Sequence, residues 1–375
     1  MDTQYFAEPN LAELHAAGAA LAKSAFMDID RSIPMSADEL RRIYASLAST
    51  GYLGGLVPKA DGGVGLSGAE FAALLEGVSE IAPYLSNHSV QRELAEEGTA
   101  AAKERWLPPL LSGELIGTIA MTEPQGGSDL SQLRTRITAE GDGYLLNGQK
   151  LWAVHTMTAD VAIVLAEGSN GEQVRAIVDL NHESVRRQRI PTTGLRYLTF
   201  GLLEFRSTPV SADDILMDPG VEVTELMLAT ERALVAVQAT SIGQRAIHTA
   251  VKHLSTRAVR GRVVTGRDVI RRQIGEMSAS VEAARAFGYH ALRFIDSQEH
   301  GVAALAAGAK SHATDVCTRV CADAIELCAA EGLVDGGEGL RLRDDILMLA
   351  AAHGTSLANA ITWGEYVMEQ SQIRR

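Results

Sequence analysis

Long helical periodicity in the C-terminal part of the chain is the feature that most limits its possible folds. Apolar residues recur at helical spacing in four runs rich in Ala, Leu and Val, at approximately 221–257, 265–297, 301–330 and 340–370. Long helices joined by short connections are typical of a bundle, in which each helix buries its apolar face against its neighbours. The pattern therefore predicts a C-terminal four-helix bundle.

Two other regions precede this bundle. Between residues 115 and 217, short runs of Val, Ile, Thr and Leu are bounded by turns, which is typical of antiparallel strands, and Asp218-Pro219-Gly220 ends the pattern. We therefore predict an α+β, mainly α chain: an N-terminal helical domain at 1–114, a middle antiparallel β-domain at 115–219 and the bundle at 220–375. The predicted strands are 116–121, 134–139, 143–147, 161–165, 174–178 and 202–205, and the predicted N-terminal helices are 11–26, 40–47 and 67–81, the last with Ser67 as its cap.

Charge and hydropathy argue against several classes of protein. The 375-residue chain has a formal net charge of −13, whereas a nucleic-acid-binding protein presents a basic surface. No stretch reaches the roughly 18 consecutive apolar residues that a transmembrane helix needs. Residues 1–10 contain no apolar run of the kind found in a signal peptide. We therefore expect a soluble, cytoplasmic protein.

The three cysteines lie on one predicted helix. Cys317, Cys321 and Cys328 share a face of that helix, without a Cys-x-x-Cys pair or a fourth ligand at metal-binding spacing. This arrangement favours packing in the core, and we expect no metal site.

The most specific local pattern consists of two short segments. Residues 121–129 read Met-Thr-Glu-Pro-Gln-Gly-Gly-Ser-Asp, and residues 146–152 read Leu-Asn-Gly-Gln-Lys-Leu-Trp. Glycines let backbone approach a ligand closely, and hydroxyl and N–H groups can hold a carbonyl-rich ring edge. Asn147-Gly148 predicts a hairpin turn whose second strand brings Trp152 back towards the first segment. A polar loop facing a planar aromatic side chain suits a flat heterocyclic cofactor.

These segments resemble the flavin-binding signature of the acyl-CoA dehydrogenase family, which is Thr-Glu-Pro…Gly-Ser-Asp followed by Asn-Gly…Lys…Trp. The family also has the same order of helices, β-domain and bundle, so the resemblance covers nearly the whole chain. It implies bound FAD and the α,β-dehydrogenation of an acyl thioester. A carboxylate takes the α-proton, the flavin accepts hydride from the β-carbon, and hydrogen bonds stabilise the thioester carbonyl.

The resemblance offers two positions for the carboxylate base. At the more common position, a Glu before Gly-Thr, this chain has His353. At the position used by isovaleryl- and long-chain-type dehydrogenases it has Glu231, directly before Arg232. We therefore predict Glu231 as the base, the alternative being a surface Glu paired with a nearby Arg. The His353 side chain is a less favoured base, a wall of the acyl pocket or a structural polar group, whereas its backbone N–H is implied to bind the thioester carbonyl.

Other positions are implied to contact cofactor or substrate, and some depart from the family pattern. Val154 replaces a Thr, Glu326 replaces a Gln, and Arg260 replaces the Phe of Arg-x-x-Phe-Gly, which opens here at Arg257. Arg257 suits a pyrophosphate, although an exposed basic turn explains it equally simply. The implied cofactor-binding residues are Met121, Thr122, Gly127, Ser128, Trp152, Val154, Arg257, Glu326 and Thr355, and the implied substrate-binding residues are Ser128, Arg232 and Gly354.

The resemblance also implies partners. These are an acyl thioester of coenzyme A or of an acyl or peptidyl carrier protein, an electron acceptor protein or oxygen, and a second copy of the chain in a homo-dimer or homo-tetramer. In the family, a neighbouring subunit also contacts the adenosine end of FAD. The departures leave two alternatives open: a flavin-dependent monooxygenase on the same fold, and a catalytically silent flavin-binding relative.

Overall fold

The computed structural model describes residues 8–82, 84, 87–127, 132–216, 220–297 and 301–373. Within these ranges the chain is mainly helical, with a helical region, a β-region and a second helical region in that order. The predicted fold class is thus confirmed. Every helix in the described ranges is too short or too polar to cross a membrane.

The N-terminal region is helical, as predicted. The third helix is capped by Ser67, whose side chain accepts from Glu70 N while the Glu70 side chain accepts from Ser67 N, so the predicted cap is confirmed as a capping box. The described helices are α1 (Pro9–Ala25), α2 (Ala37–Ala48), α3 (Gly68–Ser79), α4 (Asn87–Glu97) and α5 (Ala100–Ser112).

The middle region forms one mostly antiparallel sheet. Its strands are β1 (Gly117–Ala120), β2 (Arg136–Glu140), β3 (Gly143–Val154), β4 (Val161–Glu167), β5 (Gln173–Asp179), β6 (Val185–Ile190), β7 (Phe200–Ser211) and β8 (Ile215–Leu216). The order is β6-β7-β3-β2-β4-β5-β8, and β1 pairs in parallel with β4. Strand β6 was not predicted, because its sequence, Val-Arg-Arg-Gln-Arg-Ile, is polar and lies half-exposed at the edge of the sheet.

The predicted hairpin turn at Asn147-Gly148 is wrong. Both residues lie inside β3, where the pairing with β7 shifts register between Leu146 and Gly148. The dipeptide forms a bulge instead: Asn147 Oδ1 accepts from Ser207 N at 2.8 Å. A Cβ on Gly148 would lie 2.6 Å from Thr135 Cα, so glycine is needed for close backbone approach rather than for a turn.

The C-terminal region is the predicted bundle with one correction. The predicted run 340–370 is two helices, because His353 and Gly354 adopt left-handed backbone conformations with φ of +49° and +90°. The three cysteines are buried in the core of this region, as predicted. The elements are α6 (Gly220–Thr256), α7 (Asp268–Asp296), α8 (Val302–Cys328), α9 (Glu338–Ala351) and α10 (Ser356–Ile373), with a short hairpin of β9 (Ala258–Val259) and β10 (Arg262–Val263) after α6.

Two contacts fix the sheet against the helices. On one side, the Asn87 side chain of α4 accepts from Gly117 N of β1 at 2.6 Å. On the other, Asp345 Oδ1 of α9 accepts from Leu195 N at 2.5 Å. Helix α4 therefore supports the strand that leads into residues 121–127, and its Arg92 side chain is hydrogen-bonded to α6, which carries Glu231.

Candidate active site

Residues 121–127, here called the 121–127 loop, are anchored to strand β3. Leu151 N donates to the Thr122 carbonyl at 2.8 Å. The fully buried Lys150 donates through Nζ to the Met121 carbonyl at 2.9 Å and to Glu123 Oε1 at 2.8 Å. The Glu123 carboxylate also accepts from the backbone of Arg134 and Thr135. These bonds fold the loop back over β3.

A glycine is required inside this loop. A Cβ added at Gly127 would lie 2.5 Å from Thr122 Oγ1, well below any normal contact. A larger residue at position 127 would therefore have to displace the Thr122 side chain from its place in the loop. Ser128, predicted to bind both cofactor and substrate, lies outside the described residues.

Trp152 lies at a second register shift in the pairing of β3 with β7. In the β3–β7 ladder Leu151 pairs with Leu202 and Ala153 with Gly201, so Trp152 has no pairing partner. Its φ is +65°, a strained value for a bulky residue, and its side chain is 49% exposed. The bulge thus leaves a flat indole exposed on the residue after Leu151, whose backbone is bonded to the 121–127 loop, and an exposed aromatic face here suits a platform for a planar ring.

Glu231 lies in the contact between α6 and α4. The residue is only 7% exposed, so the alternative of a surface glutamate is wrong. Glu231 Oε2 is 3.3 Å from His88 Nε2, and Glu231 Oε1 accepts from Arg92 Nη2 at 3.3 Å. His88 and Arg92 are one helical turn apart on α4, so both reach the same carboxylate.

Burial by itself raises the pKa of a carboxylic acid. At Glu231 this effect is outweighed by the neighbouring His88 and Arg92, so the pKa of Glu231 lies well below its usual range. The carboxylate is therefore ionised at neutral pH, which is the form that can accept a proton.

The second predicted base position lies close to the first. The two groups influence each other electrostatically: Glu231 raises the pKa of His353, and His353 lowers the pKa of Glu231. Burial is the main influence on His353 and lowers its pKa to about 4, so the imidazole is neutral at pH 7. Its Nε2 lies 3.3 Å from the Tyr84 hydroxyl, and Arg232 Nε donates to its carbonyl at 3.3 Å. Arg232 and the half-buried Gly354 thus belong to this site as well.

The remaining predicted cofactor residues occupy other places. Val154 has a buried side chain and a carbonyl that accepts from Thr118, so it faces the sheet rather than a surface. Thr355 is exposed at the start of α10. Arg257 and Glu326 are exposed near the C-terminal end of α8, where the charge of Arg257 influences Cys328. Among the described residues, no hydrogen bond or ion pair joins Arg257 or Glu326 to the Glu231 site.

Three family models match this chain in sequence. They are described as the N-terminal, middle and C-terminal domains of acyl-CoA dehydrogenase and match residues 17–114, 118–208 and 218–362. The chain belongs to the acyl-CoA dehydrogenase family. The members that it resembles are flavin oxidoreductases, so this protein is an acyl-CoA dehydrogenase-like oxidoreductase.

Individual relatives are distant but cover most of the chain. Cyclohex-1-ene-1-carbonyl-CoA dehydrogenase of Geobacter metallireducens is 27% identical over 86% of this chain and 88% of that protein. Isovaleryl-CoA dehydrogenase of Pongo abelii is 27% identical over 90% of this chain and 82% of that protein. The crystal structure of the prolyl acyl carrier protein oxidase AnaB superposes with a TM-score of 0.84 at 21% identity, covering 96% of this chain and 99% of that one.

Two residues of the site were not predicted from the sequence. His88 and Arg92 lie in a polar stretch, Asn-His-Ser-Val-Gln-Arg-Glu, that looks like a solvated helix. Their spacing of four residues was the available signal, because it places both side chains on one helix face. It did not indicate what that face would contact.

The buried Lys150–Glu123 pair generates a prediction about stability. Replacing Lys150 by Met leaves the Glu123 carboxylate buried without its cation, so we expect the free energy of unfolding to fall by about 3–5 kcal/mol. The double variant Lys150→Met/Glu123→Gln removes both charges and should lose less. Chemical denaturation of the three proteins measures this; a double variant less stable than Lys150→Met would contradict it.

The same pair has a pH signature. Burial would raise the pKa of Glu123, but hydrogen bonds from Lys150, Thr135 and Arg134 lower it to about 2 from a usual 4.5. A carboxylate with a lowered pKa in the fold stabilises that fold above its unfolded pKa, and the contribution disappears as pH falls towards the folded value. The wild-type protein should therefore lose stability between pH 4.5 and 2 more steeply than the double variant. Equal slopes in denaturation experiments across this interval would refute the assignment.

Proposed function

We propose that this protein catalyses the FAD-dependent α,β-dehydrogenation of an acyl thioester, with Glu231 as the base that takes the α-proton. The observation that carries the proposal is the site around Glu231: a buried, ionised carboxylate beside the His353-Gly354 turn. Abstraction of an α-proton requires a carboxylate shielded from water and hydrogen-bond donors near the thioester carbonyl.

The surroundings of Glu231 account for its charge state. His88 and Arg92 stabilise the carboxylate before the reaction and so lower its affinity for a proton. Proton transfer from the substrate to Glu231 therefore requires that the negative charge that develops on the substrate is also stabilised. The backbone N–H of His353 supplies a donor for the thioester carbonyl, and the Arg232 guanidinium lies behind the same turn.

The residues present fit a flavin. The 121–127 loop closes through Gly127, and Trp152 offers an exposed indole next to it. Met121, Thr122, Gly127 and Trp152 would hold the ring system. Bound FAD would supply the acceptor for the hydride that leaves the β-carbon, and the α-proton would pass to Glu231, so that a carbon–carbon double bond would remain in the substrate. The exposed guanidinium of Arg257 suits the pyrophosphate of the cofactor, and we propose the exposed Glu326 as a further contact with the cofactor.

The substrate is an acyl group on a phosphopantetheine arm. Two relatives carry coenzyme A thioesters in their names, and a protein of the same fold is named as an oxidase of a prolyl acyl carrier protein. Either carrier presents the same arm and thioester to Glu231 and Gly354. An electron acceptor protein or oxygen completes the cycle by reoxidising the flavin.

Non-covalent FAD binding is directly testable. Denaturing the purified protein should release FAD in near-stoichiometric amount. Trp152→Ala should weaken FAD binding by about tenfold, because an aromatic pair contributes about 0.5–1.5 kcal/mol beyond buried area. Fluorescence titration of the apoprotein measures this affinity. A protein that takes up no flavin even after incubation with FAD would rule the proposal out.

The roles of Glu231 and His353 are separated by substitution. Glu231→Gln keeps the shape and leaves an amide oxygen that can accept from Arg92, but removes the proton-accepting carboxylate. We expect flavin reduction by an acyl thioester to slow by about 10²–10⁴-fold, with FAD content and thioester affinity little changed. His353→Ala should slow it much less. Anaerobic rapid-mixing absorbance measures both variants.

A matched control for this experiment is Glu93→Gln. Glu93 is a buried carboxylate on the same helix as His88, but it pairs with Arg175 instead of facing His353. Flavin reduction in Glu93→Gln should stay near the wild-type rate. Near-normal reduction in Glu231→Gln with an inactive His353→Ala would move the base to His353. NAD(P)H-dependent oxygen consumption without reduction by any thioester would indicate a monooxygenase.

We also propose that the protein is a homo-dimer or homo-tetramer. On α10, Leu357, Ile361 and Met368 are 71%, 52% and 60% exposed, and their spacing places them on one helix face. A second copy of the chain would bury this apolar face. Ile361→Glu should lower the mass measured by light scattering at micromolar concentration, whereas Val269→Glu, at an exposed position on α7, should not. A monomeric wild-type protein would contradict the proposal.

A further inference from the structure

Lys310 on α8 is a fully buried lysine whose partners are backbone carbonyls. Its Nζ donates to the carbonyl of Ala350 at 2.7 Å and to the carbonyl of Gly354. Ala350 lies in the last turn of α9, and Gly354 lies in the segment that joins α9 to α10. In the part of the chain that the structure describes, no carboxylate forms an ion pair with Lys310.

An ammonium group buried in this way is costly to the fold. Burial lowers the pKa of Lys310 to about 7. The neutral amine keeps two N–H bonds and the ammonium has three, so both carbonyls can be held in either charge state. The structural role of Lys310 therefore depends on which backbone carbonyls its N–H groups bind.

The N–H groups of Lys310 bind carbonyls at and next to a strained backbone segment. His353 and Gly354 are consecutive left-handed residues, with φ of +49° and +90°. For a non-glycine residue such as His353 this conformation persists only where surrounding contacts enforce it. Residues 352–355, here called the 352–355 turn, are thus held away from the helical path that α9 would otherwise follow.

Three helices supply donors to the carbonyls of this segment. From α8, Lys310 holds the carbonyls of Ala350 and Gly354. From α6, Arg232 Nε donates to the His353 carbonyl at 3.3 Å. From α10, the buried Asn359 Nδ2 donates to the Gly354 carbonyl at 2.9 Å and to the Thr355 carbonyl at 3.0 Å.

The backbone amide of His353 is left for another acceptor. Among the described residues, no acceptor forms a hydrogen bond of ordinary geometry with the His353 N–H. The carbonyls of His353, Gly354 and Thr355 are engaged, so this half-buried N–H without an internal acceptor is arranged as a donor to a ligand oxygen.

We propose that Lys310 is a positioning residue that holds the 352–355 turn so that the His353 N–H remains directed at the substrate carbonyl. The inference rests on the proposed function, since it takes that oxygen to belong to an acyl thioester. Asn359, on α10, binds carbonyls of the same turn and has the same positioning role. Lys310 touches neither substrate nor cofactor and works only through the backbone.

The test compares Lys310→Met with Ser311→Ala in the holoenzyme. Ser311 is the next residue on α8, is also buried, and donates to the carbonyl of Ser356, just beyond the turn. Both variants lose a hydrogen bond between α8 and the α9–α10 junction, but only Lys310→Met releases the turn. Asn359→Leu is the second test variant, in case Lys310→Met does not fold.

We expect Lys310→Met and Asn359→Leu to lower the rate constant of flavin reduction at saturating thioester by about 10–10²-fold, because a misplacement of about 1 Å can cost about 10²-fold. The dissociation constant of the thioester should change less than threefold. The charge-transfer absorbance of bound 3-oxobutanoyl-CoA enolate should weaken in both variants, because that band reports stabilisation of the carbonyl. Ser311→Ala should match the wild type in all three measurements.

Hydrogen–deuterium exchange without substrate tests the anchoring separately. Peptides covering residues 349–360 should exchange faster in Lys310→Met than in Ser311→Ala. If no acyl thioester reduces the wild-type flavin, the proposed function fails, and the exchange result still decides whether Lys310 anchors the turn. Folded Lys310→Met and Asn359→Leu proteins with wild-type flavin reduction and enolate absorbance would overturn the inference.

Discussion

The Glu231 carboxylate remains ionised in a buried position only because two donors on α4 reach it. His88 and Arg92, four residues apart, place a ring N–H and a guanidinium against its two oxygens. From its end, α4 also contacts β1 through Asn87, and β1 continues into the 121–127 loop. A single helix thus sets the carboxylate relative to the segment that suits a flavin. Shifting α4 would leave a buried charge without partners, at a cost of several kcal/mol.

Backbone strain occurs at two residues of the proposed site. Trp152 and His353 both have left-handed backbone conformations, at φ of +65° and +49°. At Trp152 a bulge in the β3–β7 ladder turns the indole outwards, and the neighbouring Leu151 and Lys150 tie the strand to the loop. At His353 the turn carbonyls are held from three helices. The hydrogen bonds of the neighbouring residues hold each strained residue in its conformation, as is usual where strain serves binding or catalysis.

Buried lysines have parallel roles at these two places. Lys150 pairs with a carboxylate and secures the 121–127 loop, whereas Lys310 bonds only to carbonyls and secures the 352–355 turn. The sequence motif included Lys150, because a lysine follows Asn-Gly in the family signature. Nothing in the sequence pointed to Lys310, which lies in an Ala-rich helical run and looks like a solvated position on a helix face. Its partners are backbone atoms, and they lie 40 and 44 residues away.

The sequence by itself determined the order of helical, β and helical regions, the capped helix at Ser67 and the loop at 121–127. It named Glu231 as a candidate base and left a surface position for that residue open, and its burial was decided by the tertiary structure. Periodicity, turn residues and short motifs are local, so they can be recognised without the fold. Only the tertiary structure decided that Asn147-Gly148 is a bulge, that the last predicted helix breaks at His353, and that His88 and Arg92 surround the carboxylate. These outcomes depend on contacts between elements far apart in the chain, where the approach of Thr135 or the burial of a charge outweighs the local preference for a turn, a continuous helix or an exposed side chain.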